Sequence, residues 1–124
     1  MKKVLIIDDD RDTLDILGHI AKQSNVEGVL RSDVLPVTEI EQINPDLIFL
    51  DHLLTTKTGG ELCLEIKKNE ATKDTPVILL SAFNKIGQIA NDSGADGCLE
   101  KPFDITEIQG VIEAYIDLTM PTEI

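Results

Sequence analysis

Four apolar runs in this chain each end in a polar or charged residue. Asp8 and Asp9 follow Val4-Leu5-Ile6-Ile7, Asp51 follows Leu47-Ile48-Phe49-Leu50, and Ser81 follows Val77-Ile78-Leu79-Leu80. Lys101, ahead of Pro102, closes Gly97-Cys98-Leu99-Glu100. If the runs are parallel strands of one sheet, their carboxyl ends meet at one edge, which is where open α/β sheets bind ligands. Three carboxylates, a hydroxyl and an ammonium then share a small space. At about 4 Å and an effective dielectric near 20, each carboxylate pair costs on the order of 4 kcal/mol, and Lys101 offsets only part of this. A hard dication would relieve the rest, and oxygen-only ligands point to Mg²⁺, or Mn²⁺ in its place. Asp51 stands alone at its strand end and is suited to act as a nucleophile that forms an aspartyl phosphate. Lys101 and the metal would neutralise charge on the transferring group, and Ser81 would donate a hydrogen bond to it. Asp8 and Asp9 would hold the metal, partly through water.

The elements that position these groups alternate between apolar runs and amphipathic stretches. Strands are expected at 3–7, 26–30, 47–50, 77–80 and 97–99, the second being the weakest because Gly28 interrupts it. Helices are expected at 12–24, 37–43, 59–69, 85–93 and 105–117. Their inward faces are Leu14, Leu17, Ile20 and Ala21, then Leu62, Cys63 and Ile66, then Ile86, Ile89 and Ala90, and finally Ile105, Ile108, Ile112, Tyr115 and Ile116. Asn44-Pro45 ends the second helix and Gly94 the fourth. Five strand–helix repeats with nearly continuous apolar strands describe a parallel sheet covered on both faces. Residues 1–118 form one domain in this reading, and the tail Thr119 to Ile124 is expected to fray.

The composition narrows the function. A chain of 124 residues with 42% hydrophobic content suits one globular domain. The net charge of −12 repels nucleic acid and anionic lipid, so neither direct DNA or RNA binding nor membrane binding is expected. With no bilayer-length apolar stretch and no signal peptide after Met1, the expected location is the cytoplasm. Cys63 and Cys98 read as reduced, half-buried thiols, and His19 and His52 as solvated or packing residues. Asp9 or Asp10 also suits a helix N-cap.

In its ordered set of motifs the chain resembles a response-regulator receiver domain of two-component signalling. The set is Asp8-Asp9, Asp51, Gly59 with Glu61-Leu62, Ser81-Ala82, Gly94-Ala95 and Lys101-Pro102-Phe103, and it spans essentially the whole chain. The resemblance implies a flavodoxin-like (βα)5 fold with strand order 2-1-3-4-5. It implies Mg²⁺-dependent phosphotransfer to Asp51 from the phosphohistidine of a sensor histidine kinase or a phosphotransfer protein. It adds the backbone carbonyl of Leu53 to the metal ligands and makes the Lys101–Pro102 peptide a candidate for cis. Such a domain is a signalling switch rather than an enzyme, although it assists its own phosphorylation and slow dephosphorylation. A downstream protein partner would read the face formed by the fourth helix, fifth strand and fifth helix.

Three positions depart from the family pattern. The aromatic residue usual three places before the lysine, whose rotation reports phosphorylation, is Cys98. The proline frequent four places after the aspartate is Thr55. The residues two after Asp51 and two after Ser81, which flank the path of the hydrolytic water, are the apolar Leu53 and Phe83, so slow self-dephosphorylation is expected. The alternatives are a pseudo-receiver that binds protein without being phosphorylated, and a small phosphatase or phosphotransferase. The latter commonly carries a second aspartate where Leu53 stands. The chain reads as a stand-alone regulator, a phosphorelay carrier, or one domain of a longer protein.

Overall fold

The computed structural model describes residues 1–116. Positions 117–124, which hold the expected tail and Asp117 of the last expected helix, lie outside the described residues. In chain order the elements are β1 (Lys3–Ile7), α1 (Arg11–Gln23), β2 (Glu27–Arg31), α2 (Val37–Ile43), β3 (Leu47–Asp51), α3 (Gly59–Lys68), β4 (Val77–Ser81), α4 (Ile86–Ser93), β5 (Gly97–Glu100) and α5 (Ile105–Tyr115). The five strands form one parallel sheet in the order β2-β1-β3-β4-β5, the flavodoxin-like arrangement expected from the resemblance.

Alternation along the strands divides the core in two. Val4, Ile6, Leu47, Phe49, Ile78 and Leu80 face α1 and α5, where they meet Leu14, Leu17, Ile108 and Ile112. Leu5, Ile7, Ile48, Leu50, Val77 and Leu79 face the other way, onto Ile40, Leu62, Ile66 and Ile86 of α2, α3 and α4. Both faces are dry, which is why these strands read as unbroken apolar runs rather than alternating ones. The helices begin and end where local chemistry requires. Asp10 caps α1 by accepting from the Thr13 N–H at 3.3 Å, and Thr58 and Glu61 form a reciprocal capping box at the start of α3. Asn44 and Gly94 take left-handed conformations at the ends of α2 and α4.

Some expectations shift. β2 starts and ends one residue later than expected, because its register is set by pairing with β1, Lys3 to Glu27 through Ile7 to Arg31. Ile105 and Tyr115 lie on α5 but are 54% and 40% exposed, so the buried stripe of that helix is narrower than its apolar pattern. Cys63 is fully buried rather than half-buried, while Cys98 is half-buried, and both thiols are unpaired. No helix of the described residues is long and apolar enough to cross a membrane.

The close approach of α3 to the end of β3 depends on a missing side chain. A Cβ on Gly59 would stand 2.3 Å from the Asp51 carbonyl oxygen and 2.9 Å from the His52 Cα, both backbone atoms that cannot step aside. The Gly59 N–H donates to the His52 carbonyl at 2.8 Å. Gly59→Ala is therefore expected to destabilise the fold by about 1–3 kcal/mol through overpacking. Gly110, in α5 with open space around it, serves as the control: Gly110→Ala should stabilise by about 0.5–1 kcal/mol. Urea denaturation of the two variants checks both signs.

Candidate functional site

Register brings the predicted residues together. Ile7 pairs with Leu50, so Asp8 and Asp51 come next side by side at the ends of the two central strands. Asp51 pairs with Leu80, and Ser81 pairs with Glu100, which puts Ser81 and Lys101 at the same edge. The Lys101 N–H donates to the Ser81 carbonyl at 2.9 Å, and the Lys101–Pro102 peptide is cis. The chain changes direction across the sheet between β1 and β3, the switch point where such folds open a crevice.

The Lys101 ammonium reaches across the edge to both central carboxylates. It donates to Asp8 Oδ2 at 2.8 Å and to Asp51 Oδ1 at 3.4 Å. Asp8 is fully buried, Asp51 is 4% exposed and Ser81 is 1% exposed. The second Asp8 oxygen, Oδ1, accepts from the Asp10 N–H at 2.9 Å. Asp9 sits at the rim, exposed. Ser81 Oγ accepts from the Phe83 N–H at 2.9 Å, which leaves its own O–H to donate. Leu53 and Phe83 are 62% and 45% exposed on the loops after β3 and β4.

The electrostatics are unbalanced. Burial, and then the negative charge of Asp8, push Asp51 up to about 7, against the opposing pull of Lys101; Asp9 adds a smaller push. Burial works against the Lys101 charge, but its hydrogen bond to Asp8 and the charges of Asp51 and Asp8 outweigh that and hold its pKa above the ordinary value. One ammonium thus faces two buried carboxylates with a third nearby. Oxygens of Asp8, Asp9 and Asp51 lie within 4.8 Å of one another. This donor set is all oxygen, anionic and under-compensated, which fits a hard dication and not a soft one.

Two further neighbours complete the surroundings. An open apolar groove of about 360 Å³ lies beside Lys101, lined by Thr13, Ile16, Ala82, Pro102 and Phe103. His52, read from the sequence as solvated or packing, is half-buried, and its Nδ1 accepts from the Gly60 N–H at 3.2 Å. Burial holds its imidazole below the ordinary value, against the pull of Glu61. His19 is exposed. The signal that singles out His52 is its place directly after Asp51, with two glycines opening the next helix.

A flavodoxin-like sheet that gathers an acidic pair, a third aspartate, a serine and a lysine at its carboxyl edge defines a class of signalling domain. The family model for the response regulator receiver domain matches residues 4–113, and the chain belongs to that family. The DNA-binding dual master transcriptional regulator RpaA of Synechocystis sp. is 36% identical over 128 residues, 96% of this chain but 51% of RpaA. Protein PilG of Pseudomonas aeruginosa is 32% identical over 98% of this chain and 92% of its own length. The chain thus spans about half of RpaA and nearly all of PilG. Among solved structures, the chemotaxis response regulator CheY4 of Vibrio cholerae shares the fold with a TM-score of 0.85 at 23% identity, covering 94% of this chain and 99% of that one. The receiver domain of NtrX from Brucella abortus aligns with a TM-score of 0.81 at 28% identity, with the same coverage. Receiver domains are signalling domains of two-component response regulators; they receive phosphoryl groups from histidine kinases and bind Mg²⁺ through an acidic pocket.

The raised Asp51 pKa makes a prediction with a definite sign. Between about pH 4, where an unfolded aspartate ionises, and about pH 7, the folded chain holds a proton that the unfolded chain has released. Stability from this group is therefore present at low pH and lost as pH rises to about 7. In EDTA, Asp51→Asn should be more stable than the parent at pH 8, by on the order of 2–4 kcal/mol, and the gap should shrink toward pH 4. Urea titrations across that range measure it; a gap that does not change with pH contradicts the electrostatic account.

Proposed function

We propose that this chain is a phospho-accepting receiver, with Asp51 taking the phosphoryl group from a phosphohistidine of a sensor histidine kinase or phosphotransfer protein. The observation that carries the reading is the Lys101 ammonium held between Asp8 and Asp51, at 2.8 and 3.4 Å, on the edge where Ser81 also ends its strand. An Asp51 oxygen would attack phosphorus, the P–N bond to the donor imidazole would break, and that nitrogen would keep the electron pair and take up a proton. Lys101 would follow the charge as it moves onto the phosphoryl oxygens, and the Ser81 O–H would donate to one of them. A Mg²⁺ or Mn²⁺ held by Asp8, Asp9, Asp51 and the Leu53 carbonyl would supply the remaining positive charge. The apolar groove beside Lys101 offers the donor protein a surface next to the acceptor.

The same reading assigns the rest of the molecule. Residues 1–118 act as one receiver unit that switches affinity for a protein partner. The partner would bind on α4, β5 and α5, where Tyr115 is exposed and its hydroxyl donates to the Asp96 carbonyl at 3.2 Å. Ile86 is buried and takes no part. The DNA-binding in RpaA's name belongs to a protein about twice this length; this chain of 124 residues, at a net charge of −12, would meet protein rather than nucleic acid. Cys98, half-buried where the family usually has an aromatic residue, favours the pseudo-receiver as a second reading.

Incubation with Mg²⁺ and acetyl phosphate followed by intact mass measurement separates the two. One added phosphoryl group, absent in Asp51→Asn, is expected; no adduct on either protein overturns the proposal in favour of the pseudo-receiver. The exposed, apolar Leu53 and Phe83 cannot hydrogen-bond an attacking water, so the adduct should be long-lived. Leu53→Asn should shorten its half-life several-fold, and an unchanged decay rate would sink that assignment.

A further inference from the structure

The backbone of His52 is pinned on both sides. Its N–H donates to the Leu80 carbonyl at 2.9 Å, and its carbonyl accepts from Gly59 at 2.8 Å and from Leu54 at 3.2 Å. Its ring leaves this anchored segment and reaches the first turn of α3, where Nδ1 accepts an amide proton that the helix itself cannot use. Gly60 leaves a socket there. A Cβ on Gly60 would stand 3.3 Å from His52 Cε1 and 3.2 Å from Ile89 Cγ2, so the ring and a side chain of α4 close over the glycine from different elements. Ile89 is half-buried, unlike Ile86 and Ala90 on the inner face of the same helix, and so has room to change position.

On the reading that Asp51 is phosphorylated, we propose that the His52 ring is a positioning residue that couples the state of Asp51 to α4. Residue 52 follows the acceptor directly, so a shift at the end of β3, where Asp51 sits, turns the ring in the Gly60 socket. The ring then moves Ile89 or loses it. Cys98 offers no comparable lever: on β5 it pairs with Leu79 of β4, has a single small sulfur, and packs against the core on the α3–α4 side. The signal that the aromatic residue of the family pattern would carry from β5 would here leave through β3 and α3.

Hydrogen–deuterium exchange of residues 86–93, with and without Mg²⁺ and acetyl phosphate, tests this together with intact mass on the same samples. The parent should gain one phosphoryl group and change α4 exchange by about threefold or more. His52→Phe, which keeps a ring, and Cys98→Ala should retain the change. His52→Asn, which keeps an acceptor for Gly60 but no ring, should lose most of it at equal phosphoryl occupancy. A full α4 response in His52→Asn overturns the proposal. So does a response lost only in Cys98→Ala, or a His52→Asn protein that folds but accepts no phosphoryl group. If His52→Asn does not fold, Ile89→Ala empties the α4 side of the same socket and should give the same loss; a full response there overturns the proposal. A parent protein with no adduct defeats the phosphorylation reading itself, and the mass measurement tells that failure apart.

Discussion

Two carboxylates buried side by side, with one ammonium between them, are the constraint on which the rest of this structure depends. Asp8 has no exposed surface and Asp51 almost none, yet both end strands in the middle of the sheet. A buried charge is tolerated only when it is paired and hydrogen-bonded. Lys101 supplies one cation for two anions, and the Asp10 amide supplies one further hydrogen bond. The deficit appears as the raised pKa of Asp51. A fold that keeps this arrangement stores repulsion at the site, and repulsion of that kind is what a dication relieves. Charge compensation at the sheet edge and the phosphoryl chemistry proposed for it rest on the same property.

The surrounding structure holds the groups in place against that repulsion. β1, β3 and β4 are buried on both faces, so the strand ends that carry Asp8, Asp51 and Ser81 cannot slip in register without moving apolar side chains out of the core. Gly59 lets α3 press against the end of β3, and the capping box of Thr58 and Glu61 fixes where that helix starts. Lys101 is tied back to β4 through its own amide. On the far side, Lys67 joins the end of α3 to Asp96 at 2.7 Å and to the Thr75 carbonyl at 2.7 Å. α3 is thus anchored at its C-terminal end, while its N-terminal end carries the His52 contact.

The central strands and the site could be read from the sequence because one physical rule covers both. Four apolar runs with polar ends fix strand identity and, given a parallel sheet, place Asp8, Asp51, Ser81 and Lys101 on one edge. What could not be read depended on tertiary pairing. The bounds of β2 follow from its register with β1, since the strand itself is weakly apolar and lies at the sheet edge. The exposure of Ile105 and Tyr115 follows from how α5 sits on the sheet, which helical spacing alone does not reveal. His52 looked like an isolated histidine because its partner Gly60, which Ile89 also borders, is meaningful only once α3 and α4 are packed.

The measurement that tests the central claim most directly is calorimetric titration of the metal-free protein with Mg²⁺ at neutral pH, for the parent and for Asp51→Asn. If uncompensated carboxylate charge defines the site, the parent binds one Mg²⁺ saturably with proton release. In Asp51→Asn the affinity falls by about tenfold or more and the proton release disappears. Saturable binding of equal strength in both proteins, or none in the parent, would contradict the account.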